Sequence, residues 1–154
     1  MEKPKVLIIA GSQSDLKVMK KTAEILAQFN ISHKIEVSSA HRNPEKTKSL
    51  AKSAEKKGIK VIIAGAGMAA HLPGVIASHT NLPVIGVPLN ASPLSGIESL
   101  FSIVQMPSGV PVATMAIGEA GAKNAAILAI QILALSDEKL KKRLEKFKQD
   151  LAEK

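Results

Sequence analysis

Five short strand-like runs, each closed by a turn and most of them followed by a helical pattern, constrain this chain more than any other feature. They are Lys5-Val6-Leu7-Ile8-Ile9-Ala10, Lys34-Ile35-Glu36-Val37-Ser38, Val61-Ile62-Ile63-Ala64, Pro83-Val84-Ile85-Gly86-Val87-Pro88 and Pro111-Val112-Ala113-Thr114-Met115. The first is continuously apolar from Val6 to Ala10, and such a run reads as a strand covered on both faces, the condition of a parallel sheet. After the first, Leu16, Met19, Ala23, Leu26 and Ala27 recur at helical spacing, with Ser14 or Asp15 as the expected N-cap and Asn30 as the stop. After the second, Asn43 caps, Pro44 takes the first helical position and Gly58 ends the helix. Residues 69–78 read as a small-residue helix with Pro73 in its first turn, 97–105 as a short helix closed by Pro107 and Gly109, and 121–135 as a longer one. Strand–turn–helix repeated in this way predicts right-handed crossovers and a doubly wound α/β sheet. The 154 residues contain no linker, internal repeat or low-complexity tract, so a single domain over 1–154 is expected.

The tail has another character. Ser136 is the expected cap of a charged helix with Glu138 in its first turn, and Leu140, Leu144, Phe147 and Leu151 form one narrow apolar stripe. The preceding helix is apolar nearly all round. Segment 136–154 is therefore expected to pack on a neighbouring subunit, although its own subunit is an open alternative.

Composition excludes several classes of function. There is no Cys, hence no disulfide, thiolate metal site or cysteine nucleophile. No apolar run reaches the roughly 18–20 residues of a membrane span, so no membrane partner is expected. The opening Met1-Glu2-Lys3-Pro4-Lys5 leads into an apolar run broken by Gly11, too short for a signal peptide, and a cytoplasmic setting is expected. The net charge of +8 raises the question of nucleic acid. The aromatics are three Phe with no Tyr or Trp, too few for stacking bases, and the lysines are spread along helices. No nucleic-acid partner is expected; a basic surface drawing in an anionic small substrate is the better reading.

In a parallel sheet ligands bind beyond the C-terminal strand ends. The turns there are 11–15, 38–44, 65–71, 87–95 and 116–121. Gly11-Ser12-Gln13-Ser14-Asp15 offers hydroxyls and backbone N–H groups at a helix N-terminus, an anion site or a simple cap. It lacks both the Gly-Lys-Ser/Thr ending of a phosphate loop and the dinucleotide Gly-x-Gly-x-x-Gly. In Ser38-Ser39-Ala40-His41-Arg42 an Arg beside hydroxyls can fork onto phosphate, and a loop His can transfer protons near neutral pH. Gly65-Ala66-Gly67-Met68-Ala69-Ala70-His71 lets backbone approach a ligand closely. The nearest carboxylate–His combination is Asp15 with His41, and no metal-ligand spacing is present. His33 and His79 receive no role. The residues thus describe an anion pocket with a proton-transfer group and no metal; they do not name the reaction.

The motifs Gly11-Ser12-x-Ser14-Asp15, Ser39-Ala40-His41-Arg42-x-Pro44, Gly65-Ala66-Gly67-x-Ala69-Ala70-His71-Leu72-Pro73-Gly74 and Ser102-Ile103-Val104-Gln105-Met106-Pro107 closely resemble the PurE family. So do 82–88 and 116–126, and the likeness runs in order through nearly the whole chain. The resemblance implies a flavodoxin-like three-layer sandwich. It also implies a class I N5-carboxyaminoimidazole ribonucleotide mutase of de novo purine (IMP) synthesis, moving a carboxylate from N5 to C4 without ATP or cofactor. It implies a homo-octamer with active sites between subunits. Ser12, Ser14, Asp15, Ser39 and Arg42 would hold phosphate and ribose, and His41 would be the acid/base. Gly67, Met68, Ala69, His71 and Leu72 would line the carboxylate/CO2 pocket. His41-Arg42 and Ala69-Ala70-His71-Leu72-Pro73-Gly74 look like class I rather than the class II carboxylases, which carry Lys after the His. Met68 stands where Gly is common, and Asn43 and Glu98 where Thr and Asp are usual. The alternatives are a class II aminoimidazole ribonucleotide carboxylase using free CO2, and a non-catalytic nucleotide or flavin module.

Overall fold

The computed structural model describes residues 3–153. Its strands are β1 (Val6–Ala10), β2 (His33–Val37), β3 (Val61–Gly67), β4 (Val84–Leu89) and β5 (Ala113–Thr114). Its α-helices are α1 (Leu16–Gln28), α2 (Pro44–Ala54), α3 (Leu72–Ala77), α4 (Ile97–Val104), α5 (Glu119–Ala134) and α6 (Glu138–Ala152). The strands form one sheet in the order β2-β1-β3-β4-β5, every pair parallel. This is the flavodoxin-like order, and its reversal point lies between β1 and β3.

Alternation along the strands feeds two cores. Val6, Ile8, Ile63, Ile85 and Val87 face α1, α5 and α6, whereas Leu7, Ile9, Ile62, Ala64 and Val84 face the α2–α3–α4 side. Both sets are almost wholly buried, which explains the unbroken aliphatic runs. The register Gly67↔Leu89 ends β3 and β4 level, and Ala10↔Gly65 ends β1 two residues short of them.

Local signals act where expected. Asn43 accepts from the Lys46 N–H at 3.1 Å with Pro44 behind it, Asn30 turns left-handed after α1, and Gly58 does so after α2 and its short 3-10 extension. Four expectations are corrected. Asp15 occupies the N-cap position of α1 but its side chain makes no cap hydrogen bond, because Ser12 engages it instead. The helix read over 69–78 begins only at Leu72, since β3 runs on to Gly67 and Met68 adopts a positive φ. β5 keeps only Ala113 and Thr114 of its predicted run, paired to β4 alone at the sheet edge. Asp137, not Ser136, caps α6, accepting from the Leu140 N–H at 3.0 Å.

The apolar stripe of α6 is met within the same chain. Leu140 and Leu144 are buried in the α1–α5 core, and Phe147 meets Phe29 edge-on at 5.4 Å. Arg143 donates to the Phe29 carbonyl at 2.9 Å. Own-chain packing thus accounts for the stripe as far as Phe147; Leu151 beyond it is half exposed.

Candidate active site

The parallel sheet delivers four loops to one place. The turns after β1, β2, β3 and β4 enclose a cavity of about 590 Å³. It is lined by Ser12, Ser14, Asp15, Ser39, His41, Arg42, Gly67, Met68, Ala69, His71 and Leu72, so every site residue picked from the sequence reaches it. Gly11, Ala40, Ala66 and Ala91 complete the wall. Ala91 is the residue sequence reasoning could not single out: a methyl group carries no chemistry, and only its place in the 87–95 turn pointed there. His33 lies outside the cavity, its Nδ1 2.8 Å from the Ile31 carbonyl, as does His79.

The β1 loop is a hydroxyl–carboxylate chain. Ser12 Oγ lies 2.7 Å from Ser14 Oγ and donates to Asp15 Oδ2 at 2.8 Å. Asp15 is only 7% exposed. Burial raises its pKa above the ordinary carboxylate value, against the lowering effect of the Ser12 hydrogen bonds and the nearby Arg42 charge. Because Asp15 turns toward Ser12, the first N–H groups of α1 carry no side-chain cap. Such a terminus accepts an anion.

The β2 loop is fastened from beneath. Ser38 and Thr47, both buried, share a 2.7 Å hydroxyl contact. The Arg42 N–H donates to Ser39 Oγ at 3.2 Å and the Asn43 N–H to the Ser39 carbonyl at 2.9 Å. Lys46 Nζ donates to the Val37 carbonyl at 2.7 Å. Above these bonds His41 and Arg42 stand exposed to the cavity.

The decisive contact joins the β2 and β3 loops. His41 Nε2 and His71 Nδ1 are hydrogen-bonded, with the rings edge-on at 4.6 Å and 82°. One nitrogen must donate and the other accept, so a single proton lies between the rings. Sequence spacing pairs His41 with Asp15; the structure pairs it with His71, thirty residues away, and gives Asp15 to Ser12. Among the described residues no group of three His, Cys, Asp or Glu could hold a metal ion.

A hydroxyl-, guanidinium- and N–H-lined end beside a proton-sharing histidine pair and a wall of Gly and Ala suits an anionic substrate that must exchange a proton. Comparison with known proteins gives the family. Residues 5–154 match the family model described as AIR carboxylase. The chain belongs to the AIR carboxylase family.

Its relatives in that family are similar over their length. The N5-carboxyaminoimidazole ribonucleotide mutase of Pyrococcus horikoshii is 56% identical over 153 residues, 99% of this chain and 85% of that protein. The protein of the same name from Escherichia coli K12 is 58% identical over 140 residues, 91% of this chain and 83% of that one. The crystal structure of Treponema denticola PurE superposes with a TM-score of 0.87 at 29% identity, covering 97% of this chain and 92% of that chain. The AIR carboxylase family match runs from the residue before β1 through α6. No helix among the described residues is long and apolar enough to cross a membrane.

Proposed function

We propose that this chain is an N5-carboxyaminoimidazole ribonucleotide mutase of purine biosynthesis, working without ATP through bound CO2. The observation that carries the reading is the hydrogen-bonded His41–His71 pair beside the Ser12–Ser14–Asp15 loop and Arg42, in one cavity of a chain more than half identical to proteins of that name. Arg42, the Ser12, Ser14 and Ser39 hydroxyls and the α1 N-terminus hold the phosphate, and Asp15 takes a ribose hydroxyl. His41 is the acid/base. It gives a proton to the carbamate nitrogen, the N–CO2 bond breaks, and CO2 is released beside C4. C4 donates its electron pair to CO2, and His41 takes the C4 proton back, restoring the aromatic ring. The proton account closes on one imidazole, and His71 at its edge fixes the ring.

CO2 is neutral and weakly bound, so its recapture depends on proximity and a small dry space rather than strong contacts. Gly67, Ala69 and Leu72 form that wall, with Met68 and His71. The protein acts in the cytoplasm as a homo-octamer. Ile97, Phe101 and Val104, spaced along one face of α4 and half exposed, support self-association.

The test is turnover of the carbamate substrate without ATP, biotin or metal. Conversion with little label from added bicarbonate is expected; full labelling would make the protein a class II carboxylase. His41→Asn should still bind nucleotide while turnover falls at least about a hundredfold, as for loss of a general acid/base. Near-normal turnover would remove His41 from the mechanism.

A further inference from the structure

Met68 sits in a backbone conformation that does not suit it. Its φ is +55°, in the left-handed region where glycine is the default and a long side chain is disfavoured. Among the described residues the other non-glycine positions of this kind are Asn30 and Ser95, both small and polar. The residue is 59% exposed in the single chain. Of the seven large hydrophobics exposed in the described chain, Met68 alone lines the cavity. Its neighbours Gly67, Ala69 and Ala70 have nothing beyond Cβ. Met68 is therefore the one long apolar side chain between the end of β3 and His71.

Such an outlier points to a task, since local backbone preference does not call for a methionine there. Thioether side chains are unbranched and flexible and adapt to irregular apolar surfaces. A methionine at the cavity wall gains burial by folding over a bound ring. The reacting gas has no charge for Arg42 or the serines to grip. We propose that Met68 is a retention residue: it closes over the bound ring and keeps released CO2 from exchanging with dissolved CO2. This role rests on the mutase reading.

The test is carbamate conversion in labelled bicarbonate, with carbonic anhydrase present to equilibrate CO2, counting label per product. Met68→Ala removes the thioether while keeping a Cβ; Met68→Leu keeps apolar bulk. Label per product should rise about tenfold in Met68→Ala, the order expected for losing the burial of one such side chain. It should stay near the unsubstituted value in Met68→Leu. Met68→Gly should leak like Met68→Ala and melt no lower than the unsubstituted protein, because glycine suits the left-handed φ. Equal labelling in the unsubstituted protein and Met68→Ala would overturn the retention role while leaving the mutase reading standing. Full labelling of product by the unsubstituted protein, or no conversion of the carbamate, would overturn that reading and the retention role with it.

Discussion

Gly67→Ala should open the active site from the side of the β4 loop. A Cβ built on Gly67 would lie 2.6 Å from the Ala91 Cβ. Carbon atoms in contact rest near 3.5–4.0 Å, so the overlap is roughly 1 Å. Neither Cβ can rotate away; the backbone must move. Gly67 is fixed in β3 by its register with Leu89. The 90–96 loop is braced as well. The Leu94 N–H donates to Ser92 Oγ at 3.1 Å, the Ser95 N–H to the Ser92 carbonyl at 3.1 Å, and Ser92 Oγ to Glu98. Overpacking of this kind costs about 1–3 kcal/mol, or about 2–12 °C in Tm for a chain of this size. Ala91 lines the cavity, so its displacement by about 1 Å should also lower kcat/KM by up to about a hundredfold. The test is a cycle with Ala91→Gly, read by calorimetry and steady-state kinetics. Ala91→Gly alone should cost no more than about 1 kcal/mol through loop entropy. In the double variant the nearest atoms to the new Cβ, apart from the removed one, are the Leu89 carbonyl oxygen at 3.4 Å and the residue 91 Cα at 3.7 Å, ordinary contacts. The double variant should therefore recover most of the lost stability and activity, a coupling of about 1–2 kcal/mol between neighbours. Strict additivity would refute the steric reasoning.

Asp15→Asn should raise Tm at pH 7. Burial raises the folded pKa of Asp15 above its ordinary 3.8, so stability falls as pH rises from that value through the folded pKa, and the loss persists above it. An amide cannot ionise and still accepts from Ser12. The Tm advantage should vanish as pH drops toward 3.8, and a pH-independent difference would exclude ionisation as its source. Substrate affinity should fall in the same variant. Asp137→Ala should lower stability by about 0.5–2 kcal/mol through loss of the α6 cap, whereas Ser136→Ala should stay within about 0.5 kcal/mol; denaturant titration of the two side by side decides which residue caps.

What the chain states locally was readable, and what arises from pairing was not. The β1 and β4 strands, the Asn43 cap and the Asn30 and Gly58 stops are each written in a few adjacent residues. Gly65-Ala66-Gly67 has poor strand propensity, yet it belongs to β3 because Val87, Pro88 and Leu89 pair with it. Pro111, lacking an N–H, stands before an edge strand whose only neighbour among the described residues is β4, so the run there shrinks. The site loops were legible as soon as the strands read as parallel, since all strand ends then point one way. The partner of His41 was not, because a contact across thirty residues leaves no local mark.

The features that oppose stability in this molecule share one rim of the sheet. Asp15 is desolvated there, Met68 holds a left-handed φ, and Glu98, beneath the 90–96 loop, buries an Oε2 with no hydrogen-bond partner among the described residues. At the other end, Val6, Val61 and Val84 enter the sheet apolar and almost fully buried. The small residues of the rim make this arrangement possible. Gly65 has no room for a Cβ, which would sit 2.2 Å from Met19 Sδ, so α1 docks closely and brings the Ser12–Asp15 loop over the strand ends. The Gly11 N–H donates to the Gly65 carbonyl at 2.9 Å and ties that loop to β3, the strand that leads to Met68 and His71. A sequence selected for stability alone would place glycine at 68 and an uncharged residue at 15. Retaining Met and Asp at those positions, on a sheet otherwise consistent at every level, is the pattern expected where local rules yield to a reaction.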